Sequence, residues 1–138
     1  MSSNPKQPKT RPTTASVADF INAVPDPRRQ ADAREVGLML QTATGEPPVI
    51  WGSNIVGFGA YQSPTGAWPV IAFSPRKAEL VVYVMPGFSR YGELLSRLGK
   101  VRTGASCLYI KRLSDVDTAV LHELVQAAVA AMEPKRIR

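Results

Sequence analysis

The sequence predicts one α+β domain in which helices near both ends of the chain pack on a mainly antiparallel sheet of about four to five strands. Apolar residues recur with the helical period near both ends, whereas in the middle they form short, strand-length runs. The connections between those runs are short, which favours antiparallel neighbours. The 138 residues, 44% hydrophobic and 20% charged, are typical of a single globular domain.

Residues 1–14 are predicted to form a disordered basic tail, and residues 15–134 the single domain. The tail contains three prolines and three basic residues and has almost no apolar side chain to bury. It lacks the apolar run of a signal peptide or membrane anchor, and apolar runs elsewhere have only strand length. The single cysteine, Cys107, cannot form an internal disulfide and suits a reducing compartment. The sequence therefore predicts a cytoplasmic protein with no membrane partner.

Two helices are expected directly after the tail. Ser16 is the predicted N-cap of the first, and apolar residues follow it with the spacing of a short amphipathic helix that Pro25 ends. The pair Asp26-Pro27 is typical of a helix start and Gly45 of a helix end. A second helix is therefore expected between them.

The middle of the chain has the composition of a sheet. Strands are predicted at residues 55–61, 68–73, 80–84 and 107–110. Because the sequence Ser63-Pro64-Thr65-Gly66 is rich in turn-forming residues, a hairpin is expected between the first two strands.

Two further helices complete the predicted fold. A short one is expected between the third and fourth strands, where apolar residues at helical spacing precede Gly99. The last helix has the strongest pattern: Ser114 is its predicted N-cap, Asp117 its third residue, and a broad apolar face extends to Met132.

Several motifs in the second half of the chain are similar to a known family. These motifs are Phe73-Ser74-Pro75-Arg76-Lys77, Leu80 to Met85, Leu98-Gly99-Lys100, Thr103-Gly104, Ser106 to Lys111, and Leu113 to Asp117. Together they resemble the YdhG-like family of bacterial domains of unknown function, over roughly residues 15–130. The resemblance implies an α+β fold related in outline to the frataxin type. It also implies an iron-handling role proposed for some members, and it supplies no catalytic residues.

Basic residues are concentrated in the predicted turns of the middle region. Residues 76–112 carry eight basic residues against two acidic ones, out of a net charge of +6 for the whole chain. Loops of this kind at one edge of a sheet could form an anion pocket, with hydroxyl and backbone N–H groups assisting. The predicted anion-binding residues are Arg76, Lys77, Lys100, Arg102, Thr103 and Ser106. The corresponding partner is a small anion or an acidic protein.

Other classes of function are disfavoured by what the sequence lacks. His122 is the only histidine, and nothing in the sequence directs Cys107 towards it, so serine or cysteine hydrolase chemistry is not expected. The basic segment lacks the interleaved aromatic residues of single-strand binders and any recognition-helix motif, so no sequence-specific nucleic-acid partner is expected. An enzyme of unrecognised type remains an alternative.

A metal site and a cofactor are likewise not expected. The acidic residues are sparse, and basic residues interrupt those near the first helices. Asp32 and Glu35 are the weak alternative ligands for a frataxin-like iron-binding function. The sequence therefore favours a non-enzymatic binding or adaptor module, and an exposed sheet face would favour a homodimer.

Overall fold

The computed structural model describes residues 10–137, which form an α+β fold with two antiparallel sheets. The elements are α1 (Val17–Asn22), α2 (Pro27–Thr44), β1 (Pro48–Trp51), β2 (Ile55–Phe58), β3 (Ala60–Ser63), β4 (Gly66–Trp68), β5 (Ile71–Pro75), β6 (Leu80–Tyr83), α3 (Gly92–Leu98), β7 (Arg102–Thr103), β8 (Cys107–Ile110), α4 (Thr118–Met132) and β9 (Arg136–Ile137). The six-stranded sheet has the order β1-β2-β5-β6-β8-β7, and the three-stranded sheet the order β4-β3-β9. The α+β class is confirmed.

The number of strands is larger than the predicted four to five. The predicted hairpin is present but bent, because both of its strands break in the middle. Gly59 separates β2 from β3 with a φ of 66°, and residues 69–70 separate β4 from β5. The remaining extra strands, β1, β7 and β9, have two to four residues each, which is too short for a period-two pattern to reveal.

The helices pack on one face of the six-stranded sheet. α2 contributes Ala33, Val36 and Leu40 to the core, and α4 contributes most of its apolar face. The strands present alternate side chains to this core, for example Leu80 and Val82 of β6. The helix layer therefore covers one sheet face, and residues such as Tyr83 point to the opposite face.

The predicted caps of the first two helices are confirmed, and that of the last is wrong. The hydroxyl of Ser16 accepts a hydrogen bond from the Asp19 N–H at 3.1 Å, and Asp26 caps α2. α4, however, begins at Thr118, and the carboxylate of Asp117 accepts from the backbone N–H groups of its first turn. Ser114 instead lies in a 3₁₀ turn whose first residue, Leu113, is buried.

The chain enters the fold along the outer edge of β1. Both the N–H and the hydroxyl of Thr13 donate to the carbonyl of Ile50 at 2.8 Å, and the Gly52 N–H donates to the carbonyl of Arg11 at 2.8 Å. Residues 1–9 of the predicted tail lie outside the described part of the chain. Within residues 10–137, no helix has the length and apolar character needed to cross a membrane.

Gly57 of β2 permits the close approach of a buried tryptophan. A Cβ atom at Gly57 would lie 2.6 Å from Cδ1 of Trp51 and 2.7 Å from Cβ of Pro69. Because Trp51 is only 3% exposed, its ring has little room to retreat. We expect Gly57→Ala to lower the free energy of unfolding by about 1–3 kcal/mol, as overpacked cores do, measured by urea denaturation. Gly92→Ala is the control, since its Cβ would meet nothing within 4 Å, and an equal effect of the two changes would contradict the prediction.

Candidate functional site

Four segments that are distant in sequence meet at one end of the six-stranded sheet. β5, β6 and β8 are neighbours, and the register pairs Pro75 with Leu80 and Leu80 with Ile110, so the β5–β6 turn lies beside the end of β8. Arg29 of α2 joins them, donating from Nη1 to the carbonyl of Lys111 at 3.0 Å and from Nη2 to that of Ala78 at 3.3 Å. We call this region the basic end. It comprises residues 26–29, 75–79, 100–102 and 111–112.

A groove of about 540 Å³ opens beside the β5–β6 turn. One side is formed by α1 and the corner between α1 and α2, and the other by the turn itself. Most of the lining is apolar, and three of the lining residues are basic. The turn groove is lined by Phe20, Ala23, Val24, Pro25, Asp26, Arg29, Pro75, Arg76 and Lys77.

The local sequence positions Arg76 and Lys77 at this groove. The Arg76 N–H donates to the carbonyls of Ser74 and Glu79, at 3.1 and 3.0 Å, which closes a tight turn after Pro75. Both basic side chains are exposed there. The turn that the sequence predicts thus places two adjacent basic residues in the groove lining, while the Arg76 guanidinium extends to Tyr83 on the opposite sheet face.

The guanidinium of Arg76 is held at Tyr83, on the sheet face opposite the helix layer, and is not neutralised there. Its Nη2 donates to the hydroxyl of Tyr83 at 2.7 Å, and this hydrogen bond is the main cause that raises the pKa of Arg76. Within residues 10–137, no carboxylate lies within ion-pair distance of Arg29, Arg76 or Lys77. Since a guanidinium has five N–H donors, Arg76 keeps several for a ligand on that face.

Arg102 has a different environment. Its Nη2 lies 2.6 Å from Oε1 of Glu79, and its guanidinium carbon lies 4.0 Å from the centre of the Tyr109 ring. It lines a smaller depression of about 220 Å³ together with Lys100 and Lys111, but Glu79 and Asp115 line it too. The carboxylates reduce the positive potential, so this depression is the weaker anion site.

The six predicted anion-binding residues therefore do not share one pocket. Arg76 and Lys77 line the turn groove, and Lys100 and Arg102 line the smaller depression. Thr103 pairs with Leu108 further along β8. Ser106 precedes β8, and its carbonyl accepts from the Val84 N–H at 2.7 Å, beyond the opposite end of β6. The length of β8 separates Ser106 from the basic end.

Sequence reasoning missed Arg29 and the apolar side of the groove. One signal for Arg29 was present: it lies in the first turn of α2, where the helix dipole disfavours a cation. The unfavourable interaction of Arg29 with the helix dipole is offset by its two hydrogen bonds to the carbonyls of Lys111 and Ala78. For the apolar side, the sequence predicts only that Phe20 and Val24 belong to the apolar stripe of an amphipathic helix. In the structure both side chains are half-buried and line the groove.

The alternative metal ligands are not arranged as a site. Oδ2 of Asp32 accepts from the Leu113 N–H at 3.1 Å, and Glu35 is exposed on α2. Among residues 10–137, no group of three or more His, Cys, Asp or Glu side chains is placed to hold a metal ion. No observation in the described residues favours the iron-binding alternative.

Cys107 and His122 lie on different sides of the sheet. Cys107 alternates with Leu108, whose side chain is in the core, and it therefore points away from the helix layer that carries His122. Cys107 is half-buried beside Tyr109, and their side-chain hydrogen bond is the main cause that raises the pKa of Tyr109. This placement provides no thiol–imidazole pair.

The chain was compared with models of known protein families, with curated proteins and with solved structures, and none of the three comparisons finds a match. The resemblance to the YdhG-like family therefore stays a prediction from the motifs quoted above.

Proposed function

We propose that this domain is a non-enzymatic binding module that holds an anionic ligand in the turn groove. The observation that carries the proposal is that Arg29 and Lys77 line one concave surface, with Arg76 on the same turn, and that none of the three has a carboxylate of residues 10–137 in ion-pair distance. A concave surface lined by cations that form no ion pair attracts anions and raises their local concentration.

The apolar surroundings strengthen this attraction. Phe20, Val24 and Pro75 lower the local dielectric constant, so a cation in the groove interacts more strongly with an anion than it would on an open surface.

The lining residues support binding more than catalysis. No serine, threonine, cysteine or histidine is among the residues found to line the groove. The one carboxylate, Asp26, uses Oδ1 to accept from the Arg28 N–H at 3.0 Å as the cap of α2. A hydroxyl, thiol or imidazole nucleophile and a free general base are therefore missing from this set of side chains. The concave shape favours a small anion over an acidic protein partner.

The proposal is tested by titrating inorganic phosphate into the isotopically labelled protein at low ionic strength and following backbone amide resonances. We expect saturable shifts confined to the non-proline residues of 26–29 and 75–79, with a dissociation constant on the order of millimolar. The double variant Arg76→Gln, Lys77→Gln should weaken binding by about tenfold or more, because the turn beside the groove loses two positive charges.

The control variant loses the same two positive charges, but at positions distant from the groove. Arg90 and Lys135 are exposed and form no ion pair within the described residues, and Arg90 lies in the loop that follows the other end of β6. The double variant Arg90→Gln, Lys135→Gln should bind phosphate nearly as the parent does. If both double variants weaken binding equally, the attraction is a general effect of net charge and the proposal fails.

A further inference from the structure

We propose that a second depression, between α2 and the segment that follows β8, binds small zwitterions such as free amino acids. The ligand carboxylate lies at Arg28 and Arg112, and its ammonium group at Asp32. This site is separate from the turn groove, does not depend on the proposed function, and takes a ligand that carries both charges.

The depression has the size of a small-molecule site and a polar lining. Its volume of about 340 Å³ lies within the range of roughly 300–1,000 Å³ that is common for such sites. α2 contributes Arg28, Ala31 and Asp32, and the segment after β8 contributes Arg112 and Ser114. Four of these five side chains are polar, whereas most of the turn groove is apolar. Charge and hydrogen bonds therefore dominate recognition in this depression.

Charges of both signs line the depression without pairing with each other. Among the described residues, neither Arg28 nor Arg112 has a carboxylate in ion-pair distance. Oδ2 of Asp32 accepts from the Leu113 N–H at 3.1 Å, and Oδ1 accepts no hydrogen bond within residues 10–137. Two guanidinium groups and one carboxylate oxygen are thus available to a ligand.

Two contacts hold the two sides of the depression together. The hydrogen bond from Leu113 to Asp32 joins the 3₁₀ turn to α2, and Leu113 is buried. Three residues before Asp32, Arg29 donates to the carbonyl of Lys111 at 3.0 Å. The backbone that carries the lining residues is therefore in place before a ligand arrives, which reduces the entropy lost on binding.

A ligand with a single charge meets a like charge in this depression. Phosphate or a simple carboxylate is attracted by the arginines and repelled by Asp32, and a simple amine is attracted by Asp32 and repelled by the arginines. A molecule with a carboxylate at one end and an ammonium group at the other has a partner for both charges. Small amino acids are molecules of this kind, which is why we infer this class.

The test compares glycine, 3-aminopropanoate and 4-aminobutanoate with the carboxylate and the amine that each lack one of the two charges. For 4-aminobutanoate these analogues are butanoate and butylammonium. Amide resonances of the labelled protein are followed at neutral pH and low ionic strength. For at least one amino acid we expect saturable shifts in residues 28–32 and 112–115, with a dissociation constant on the order of millimolar. Its affinity should exceed that of both analogues by about tenfold or more.

Asp32→Asn tests the recognition of the ammonium group. The amide oxygen can still accept from the Leu113 N–H, so the negative charge is removed while this contact is kept. Affinity for the amino acid should fall by about tenfold, and the carboxylate analogue should bind at least as well as before, because repulsion is lost. Glu35→Gln removes the same charge from an exposed position of α2 outside the lining and should change neither affinity.

Arg112→Gln tests the recognition of the carboxylate. It should weaken amino-acid binding by about tenfold, whereas Arg90→Gln, with the same loss of charge at an exposed position outside the lining, should not. Equal affinities for the amino acids and their single-charge analogues would overturn the inference, as would binding that Asp32→Asn and Arg112→Gln leave unchanged. Lys77→Gln should not alter amino-acid binding, so a failure of phosphate to bind in the turn groove and a failure of this site are distinguishable.

Discussion

Gly99→Ala is expected to lower the free energy of unfolding by about 3 kcal/mol or more. Gly99 ends α3 with φ 119° and ψ −142°, a conformation that residues with a Cβ atom rarely adopt. In addition, a Cβ atom at this position would lie 2.6 Å from the carbonyl oxygen of Asp115. The Asp115 backbone cannot move aside as a flexible side chain can. The steric overlap with its carbonyl oxygen therefore adds to the conformational strain at residue 99.

The contacts around Gly99 explain why the chain cannot relax at this point. The Lys100 N–H donates to the Asp115 carbonyl at 3.1 Å, and the Asp117 N–H donates to the Leu98 carbonyl at 2.8 Å. A shift at Gly99 would therefore disturb both the end of α3 and the cap of α4. Chemical denaturation and hydrogen exchange at the start of α4 measure the effect. Gly104→Ala, where the nearest atoms are 3.7 Å away, is the control and should change stability by less than about 0.5 kcal/mol.

Arg136→Met is expected to have the next largest effect, a loss of about 2–4 kcal/mol. The Arg136 side chain is 5% exposed and joins β9 to the end of α2. It donates to the carbonyl of Thr44 at 2.6 Å, to Glu46 at 3.0 Å and to Glu133 at 2.6 Å. Burial alone would lower the pKa of Arg136, but its hydrogen bonds to Glu133 and Glu46 outweigh burial and raise it. The residue therefore stays charged.

The size of this loss depends on the exposure of the partners. Removing one member of a fully buried ion pair costs about 3–5 kcal/mol, but Glu46 and Glu133 retain 35% and 40% side-chain exposure. Because water can solvate these carboxylates once the Arg136 side chain is replaced, the expected loss of stability is smaller than that of a fully buried pair. Lys135→Met is the matched control, because Lys135 is exposed in the preceding turn and forms no ion pair within residues 10–137. Equal denaturation midpoints for the two variants would disprove the role of Arg136.

The helices could be predicted from the sequence because their signals are local. Asp26-Pro27 and Gly45 mark the two ends of α2, and each acts through backbone groups within a few residues. The start of α4 was misplaced for the opposite reason. Ser114 and Asp117 are both good caps, and the choice between them depends on Leu98 and Leu113, which pack and hydrogen-bond from outside the helix.

The turn groove could be predicted only in part. The sequence identified Arg76 and Lys77 as cations on a tight turn, since turn chemistry is local. It could not show that Lys100 and Arg102 have carboxylates nearby, or that Ser106 lies beyond the other end of the sheet. Those facts depend on strand register, which places residues together that are 20 or more positions apart.

Taken by itself, the sequence determined the α+β class, the boundaries of α2 and the turns that hold the basic residues, because period, caps and turn residues act over a few neighbours. Only the tertiary structure decided how many strands form, where the hairpin bends, and which cations face an apolar surface. The position of the cations beside an apolar surface depends on the two bonds of Arg29, whose acceptors are 49 and 82 residues away. Contacts over such separations leave no periodic pattern in the chain.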